Sequence, residues 1–129
     1  MEFLQGFNPL THVLKHEVVN LTIANGTNKV IGSIDVREGE VIGVLADTDG
    51  TEKANNNMCY LGIQDGRRQY HEEPVSIEFY KKPANGYSGI RPLQMTGGQK
   101  LYAEVSTLNN VTAATKIQVV FIVKQERKA

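Results

Sequence analysis

Alternation of apolar and polar residues with a period of two is the feature of this 129-residue chain that most limits its fold. Successive side chains of a β-strand lie on opposite faces, so each alternating run predicts a strand with one face toward a core. In the first run, residues 16–24, the inward set is Val19, Leu21 and Ile23. Seven further strands are predicted at 29–36, 40–46, 58–64, 75–80, 90–95, 99–106 and 116–124.

Turn residues separate these strands, and no segment of ordinary helical length lies between them. Asn25-Gly26 tolerates the positive φ of a tight turn, so we interpret the first two strands as a hairpin. Pro92 lacks a backbone donor and predicts an edge position for its strand. Eight short strands close most simply as two antiparallel sheets packed face to face. We therefore expect an all-β sandwich of the jelly-roll type, and the strand count by itself fits other sandwich topologies equally well.

The first fifteen residues lack the strand pattern. Asn8-Pro9 suits a helix cap followed by a first helical position, so the range 9–15 predicts one or two helical turns. We divide the chain into an N-terminal arm, residues 1–15, and a β-sandwich domain, residues 16–129. We interpret the arm as an assembly segment, because it carries four large apolar side chains that need to be covered: Phe3, Leu4, Phe7 and Leu10.

Composition excludes several classes of partner. Fourteen basic residues balance fourteen acidic ones and are scattered, whereas phosphate binding depends on clustered basic charge, so no nucleic-acid partner is expected. A run of about eighteen apolar residues is absent, which predicts no membrane partner. The first residues lack the basic charge and apolar length of a signal peptide, so secretion is not expected. The single Cys59 is interpreted as a packed thiol.

Motifs that could carry chemistry are weak. His12 and His16 have the spacing of a helical metal pair, but no third ligand is evident. The range 47–50, Asp-Thr-Asp-Gly, resembles part of a calcium loop, yet Leu45 and Asn56 would occupy two ligand positions, so a tight turn is predicted. No nucleophile motif or phosphate-binding loop is present. We expect no enzymatic activity, no cofactor and no metal.

A surplus of apolar side chains on the outward-facing positions of the strands is the main indication of function. A monomer rarely exposes a large contiguous apolar patch, so either further chain or another subunit covers them. The outward-facing apolar residues are Ile31, Tyr80, Tyr102, Val120 and Ile122. Together with the four apolar arm residues, they form the predicted interface.

Four features together describe the overall organisation, or build, of this chain. They are the arm sequence MEFLQGF, the many short strands with Asn-Gly and Asp-Gly turns, the balanced charge and the lack of a catalytic motif. In that build the chain resembles the small β-sandwich and jelly-roll proteins that decorate or cement the capsids of tailed bacteriophages. The resemblance implies a homo-oligomer, with a trimer favoured, that binds the major capsid protein or another virion protein. It also implies a place in the virion, assembled in the host cytoplasm.

A small carbohydrate- or ligand-binding module is the alternative function. Aromatic rings on loops can stack on sugar rings, and Tyr70 and Tyr87 are the candidates for such a platform. The sequence leaves both functions open.

Overall fold

Strands make up most of the computed structural model, which describes residues 8–81 and 91–127. The eight strands are β1 His12–Ile23, β2 Lys29–Asp35, β3 Glu40–Thr48, β4 Cys59–Gln64, β5 Tyr70–Ser76, β6 Arg91–Thr96, β7 Lys100–Thr107 and β8 Thr115–Glu126. The described helices are a four-residue α1, Thr51–Ala54, and a 3-10 turn, Ile77–Tyr80. The predicted all-β fold is therefore confirmed.

The strands form two four-stranded antiparallel sheets. Sheet 1 has the order β1-β8-β3-β6, and sheet 2 has the order β2-β7-β4-β5. Six of the seven connections between successive strands cross from one sheet to the other, and β4 to β5 is the exception. This is the jelly-roll arrangement of eight strands, which the strand count in the sequence could not separate from other sandwiches.

The predicted hairpin between the first two strands is wrong. β1 pairs with β8 over all twelve of its residues, and β2 pairs with β7. Gly26 does turn the chain, at φ +84°, but its N–H donates to the carbonyl of Val111 at 2.8 Å and the chain passes to the other sheet. β2 then packs across the core from β1, where a Cβ on Gly32 would lie 2.1 Å from Leu21 Cδ2.

The predicted strand over 75–80 is also wrong beyond Ser76. The Ser76 side chain accepts from the Glu78 N–H at 3.3 Å, and a 3-10 turn begins there. Side chains three residues apart share a face in that turn. Ile77 and Tyr80 are consequently buried, whereas Phe79 is 65% exposed. Tyr80, predicted to point outward, lies in the core.

Residues 12–15 form strand rather than the predicted helix. β1 begins at His12, four residues before the predicted start, so the boundary between 15 and 16 falls inside a strand. Asn8 makes a single turn, its side chain accepting from the Leu10 N–H at 2.9 Å, and the Arg127 N–H donates to the carbonyl of Thr11. Leu10 is 84% exposed. The predicted arm residues Phe3, Leu4 and Phe7 lie outside the described residues.

The core lies between the inward faces of the two sheets. β8 is central in sheet 1, and its inward side chains are almost fully covered, as are those of β3, β4 and β7. Val120 and Ile122 occupy the outward positions of β8, yet they are 9% and 0% exposed, so cover within the chain accounts for both. β6 is an edge strand, as Pro92 predicts.

Candidate functional site

The outer face of sheet 2 collects aromatic and charged side chains. Its strands alternate so that the inward residues of β7, Leu101, Ala103 and Val105, are fully buried, and the residues between them point outward. All four strands of sheet 2, together with the turn between β4 and β5, contribute side chains to this outer face. We call this surface the tyrosine face and define it by Ile31, Tyr60, Arg68, Tyr70, Tyr102 and Glu104.

Glu104 lies at the centre of the tyrosine face and is only 5% exposed. In the strand register it stands between Ile31 of β2 and Gly62 of β4, which has no side chain to crowd it. Lys29 Nζ contacts one carboxylate oxygen at 2.7 Å, and the hydroxyl of Tyr70 donates to the other. A charge buried this deeply needs such partners, because desolvation disfavours an unpaired ion.

The titration of these three groups is coupled through the hydrogen bonds. Burial acts to raise the pKa of Glu104, but the hydrogen bonds from Lys29 and Tyr70 and the Lys29 charge outweigh it and hold that pKa below its ordinary 4.5. The hydrogen bond to Glu104 raises the pKa of Lys29 and of Tyr70. At neutral pH, Glu104 is therefore a carboxylate, Lys29 a cation and Tyr70 a protonated donor.

Arg68 is fixed over the neighbouring Tyr102 ring. Its guanidinium carbon lies 4.4 Å from the ring centroid, and its Nε donates to Gln64 Oε1 at 2.7 Å. Arg68 has a φ of +64° in the turn between β4 and β5, where Asp65 Oδ1 accepts from the Gln69 N–H at 3.1 Å. Because the turn and the side chain are both held, the cation stays stacked on the ring.

Rigid tyrosine and arginine side chains on a surface are the residue types that dominate binding energy in protein interfaces. Their order before binding matters, because immobilising a mobile side chain costs free energy on association. The tyrosine face meets both conditions: its rings are held, and its buried charge is already paired. It can therefore bind and orient a partner surface.

A second polar cluster lies at one end of the sandwich, around a cavity of about 210 Å³ lined by Glu52, Asn57, Asn109 and their neighbours. The Thr48 hydroxyl donates to Glu52 Oε1 at 2.6 Å. The Asn57 side chain donates to the Asn109 carbonyl at 2.8 Å and accepts from its N–H at 2.9 Å. These bonds join β3 to α1, and the segment after α1 to the loop between β7 and β8, so the cluster stabilises this end of the fold.

Cys59 packs in the core, as predicted. It is 3% exposed, and burial, together with the charge of Glu52, raises its pKa to about 12. A thiol that stays protonated is neither a nucleophile nor a metal ligand.

The structure gives neither the candidate histidine pair nor the calcium-like turn the geometry of a metal site. His12 and His16 lie in one strand, where a spacing of four residues corresponds to about 13 Å, too far for one ion. Asp49 accepts from the N–H groups of Thr51 at 3.0 Å and Lys116 at 3.1 Å, and the Thr51 bond is the main cause of its lowered pKa. No group of three or more His, Cys, Asp or Glu among the described residues could hold a metal.

No helix within the ranges 8–81 and 91–127 is long and apolar enough to cross a membrane.

Of the predicted interface residues, Ile31 and Tyr102 lie on the tyrosine face. Ile31 is 39% exposed, and Tyr70, the proposed sugar platform, is 46% exposed beside Glu104. Tyr80, Val120 and Ile122 are buried, and Tyr87 lies outside the described residues. Sequence reasoning missed Tyr60, Arg68 and Glu104, although the outward phase of Glu104 in its alternating run was a readable signal.

No protein-family model matches this chain, and no curated protein matches its sequence. Among solved structures, a chain of the cyanophage Pam1 capsid asymmetric unit is similar at 14% identity and a TM-score of 0.51, over 89% of this chain and 86% of that one. The Yersinia pseudotuberculosis-derived mitogen matches at 15% identity and a TM-score of 0.48, over 91% of this chain and 92% of that one. A chain of the capsid of Helicobacter pylori bacteriophage KHP30 matches at 10% identity and a TM-score of 0.44, over 89% of this chain and 94% of that one.

At these identities the likeness concerns the fold alone. The weak, build-level resemblance to phage capsid proteins that the sequence indicated is present in the structure.

Proposed function

We propose that this jelly roll is a non-enzymatic structural protein of a virion, which binds neighbouring capsid subunits through its tyrosine face. The observation that carries the proposal is the rigid outward cluster of Tyr70, Tyr102 and Arg68 around the paired carboxylate of Glu104. Jelly rolls build viral capsid and lectin domains, and a phage capsid chain with this fold supports the first of these contexts.

The absence of an enzymatic role is part of the proposal. Glu104 is bonded to a cation and a phenol, and Cys59 is a buried, protonated thiol, so neither is prepared for nucleophilic or base chemistry. The groups on the tyrosine face are arranged to be held still, which suits binding.

The partner surface can be described by its chemistry. Lys29, paired with Glu104, and Arg68, stacked on Tyr102, keep solvent-accessible cationic groups on the face, while Ile31 and the Tyr70 ring supply partly exposed apolar area. An apolar patch bordered by carboxylates on a capsid subunit fits this pattern. We further propose that the protein is a homo-oligomer in the virion, as the resemblance implies.

A carbohydrate-binding role uses the same face and is the competing outcome of the test. Tyr70 keeps a ring that is 46% exposed, but its hydroxyl is engaged by Glu104. Such a ring can stack on a sugar. Binding of a saccharide that is lost in a Tyr70→Ala variant, without any affinity for shells, would favour the module over the capsid protein.

Co-sedimentation with purified capsid shells tests the proposal. The coding neighbourhood of this chain is inspected first for a major capsid protein from which to make the shells, and a neighbourhood without shell or portal genes would already count against the proposal. Tyr102→Ala should weaken shell binding by about tenfold or more, since central aromatic residues are typical hot spots. Phe79→Ala is the matched control, because Phe79 is an exposed aromatic residue in the 3-10 turn and not on the tyrosine face. Equal binding by both variants would contradict the proposal.

A further inference from the structure

Glu52 is a buried carboxylate whose hydrogen bonding is incomplete. It lies in α1 and is 3% exposed, and its Oε1 accepts from the Thr48 hydroxyl at 2.6 Å. Its Oε2 is buried as well but has no hydrogen-bond partner among the described residues. An unpaired buried acceptor costs free energy, and the cost is greater for a charged group. A donor bound at Oε2 would remove that cost.

The cations next to α1 do not supply this donor. Lys53 follows Glu52 in the helix, and adjacent helical residues do not face each other. Lys53 Nζ instead contacts Glu78 Oε1 at 2.9 Å, and Lys81 Nζ contacts the same oxygen at 3.4 Å. Within the ranges 8–81 and 91–127, no cation forms an ion pair with Glu52. Its charge therefore stays uncompensated.

Glu52 lines two cavities through which a donor can approach it. One is the polar cavity described above, where the Asn57 and Asn109 groups already bind each other. The other has a volume of about 350 Å³, which falls within the range of small-ligand sites. We call this second one the Glu52 cavity, and its lining includes Glu52, Asn57, Met58, Cys59, Ile77 and Glu78.

The lining of the Glu52 cavity selects the chemistry of a ligand. Met58, 51% exposed, and the buried Ile77 give it apolar walls. Glu52 and Glu78 disfavour an anion. A primary ammonium group has three donors and a compact charge on an apolar stem, so it matches both the carboxylate and the walls. The fork of a guanidinium pairs best with two free oxygens, whereas Glu52 offers one.

We propose that the Glu52 cavity binds an alkylammonium group, with the cation on Glu52 Oε2 and the stem along Met58 and Ile77. A lysine side chain of another protein and a free small amine share this chemistry. The Tyr60 hydroxyl donates to Met58 Sδ at 3.6 Å, so the cavity borders the tyrosine face. Binding of the ammonium group nevertheless does not rest on the proposed function.

Titration of the purified full chain with n-butylammonium, followed by NMR of the backbone amides, tests the site. A Kd of about 1 mM is expected of so small a probe. The shifts should concentrate at Asn57, Met58 and Ile77. n-Butanol, which has the stem without the charge, should bind at least about tenfold more weakly. Equal binding of n-butanol would overturn the proposal, and so would an absence of shifts, since the cavity would then hold water only.

Glu52→Gln keeps the size of the side chain and removes its charge. It should weaken n-butylammonium binding about tenfold or more. Glu73→Gln is the matched control, because it removes the same charge from an exposed position on β5, and it should bind like the wild type. Met58→Ala removes a half-exposed wall and should weaken binding about threefold. Equal affinities of Glu52→Gln and the wild type would contradict the site.

Thermal unfolding without amine shows whether Glu52 lacks a partner. Removing an uncompensated buried charge does not destabilise a fold, so Glu52→Gln should melt at or above the wild-type temperature. A melting temperature several degrees lower would mean that the carboxylate is already paired, and the proposal would be wrong.

N-acetyl-lysine methylamide distinguishes the two sources of the ammonium group. Binding as tight as that of n-butylammonium would identify a lysine side chain of another protein as the ligand, because the cavity then accepts the stem with its backbone attached. Binding of n-butylammonium alone would identify a free amine. Capsid-shell binding is measured separately, so this proposal and the proposed function can fail independently.

Discussion

Replacing Gly32 with alanine tests how β1 and β2 face each other across the core. A Cβ built at this position lies 2.1 Å from Leu21 Cδ2 and 3.1 Å from Val19 Cγ1. Both neighbours are buried, at 6% and 7% exposure, so the Leu21 methyl cannot move away without displacing other core atoms. Overpacking of this kind costs about 1–3 kcal/mol. For a domain of this size, the melting temperature should fall by roughly 4–12 °C.

Thermal unfolding followed by circular dichroism is the assay, with chemical denaturation as a second measure. Leu21→Val removes the clashing methyl, so the double variant should lose less stability than the sum of the two single variants. In the hairpin that the sequence predicted, Gly32 would lie beside β1 in one sheet and would not meet Leu21 end-on. Glycine-to-alanine changes within strands otherwise gain about 0.5–1 kcal/mol. A neutral or stabilised Gly32→Ala variant would therefore refute the packing described for β1 and β2.

Further predictions concern charge, the thiol, a close backbone contact and the acidic turn. The lowered pKa of Glu104 means that its contribution to stability is present above about pH 4.5 and is lost as the pH falls through the folded-state pKa. The wild type should therefore have a higher melting temperature than Glu104→Gln at pH 7, and the difference should shrink as the solution is acidified below about pH 4.5; a constant difference would argue against the ion pair. Cys59 should react with a thiol reagent only after unfolding, and rapid labelling of the native protein would contradict its burial. Gly97→Ala should lower the melting temperature more than Gly32→Ala does, because its Cβ would lie 2.3 Å from the carbonyl oxygen of Arg37, and a backbone atom cannot rotate away as a side chain can. Equal melting temperatures of the two variants would count against that contact. A chelator should leave the melting temperature unchanged, because the Asp49 carboxylate bonds backbone N–H groups, and a fall of several degrees would reveal a bound cation.

The fold class could be predicted because it depends on local alternation. Val19, Leu21 and Ile23 alternate inward as expected, and the edge position of β6 follows from Pro92. Sheet membership could not be predicted, because a Gly turn such as Gly26 serves a hairpin and a crossing between sheets equally well. The choice between them is made by long-range pairing of β1 with β8, which no local pattern contains.

The interface prediction failed where a strand ended early or was covered. Tyr80 changed faces because the 3-10 turn at Ile77 replaced a period of two with a period of three. Ile122 kept its outward position but is fully covered. Arg68 could not be assigned a role from the sequence, since its stacking on Tyr102 depends on the turn between β4 and β5, which places the guanidinium over a ring of β7.

Lysine footprinting of the protein bound to capsid shells is the most direct measurement of attachment through the tyrosine face. Lys29 lies on that face with a side chain that is 53% exposed, and Lys116 is exposed on β8 in the other sheet. Both lysines should be labelled by an amine-reactive reagent in the free protein. On shells, Lys29 should become protected while Lys116 stays reactive. Protection of Lys116 with Lys29 still fully labelled would contradict the proposed attachment and would place the contact on sheet 1.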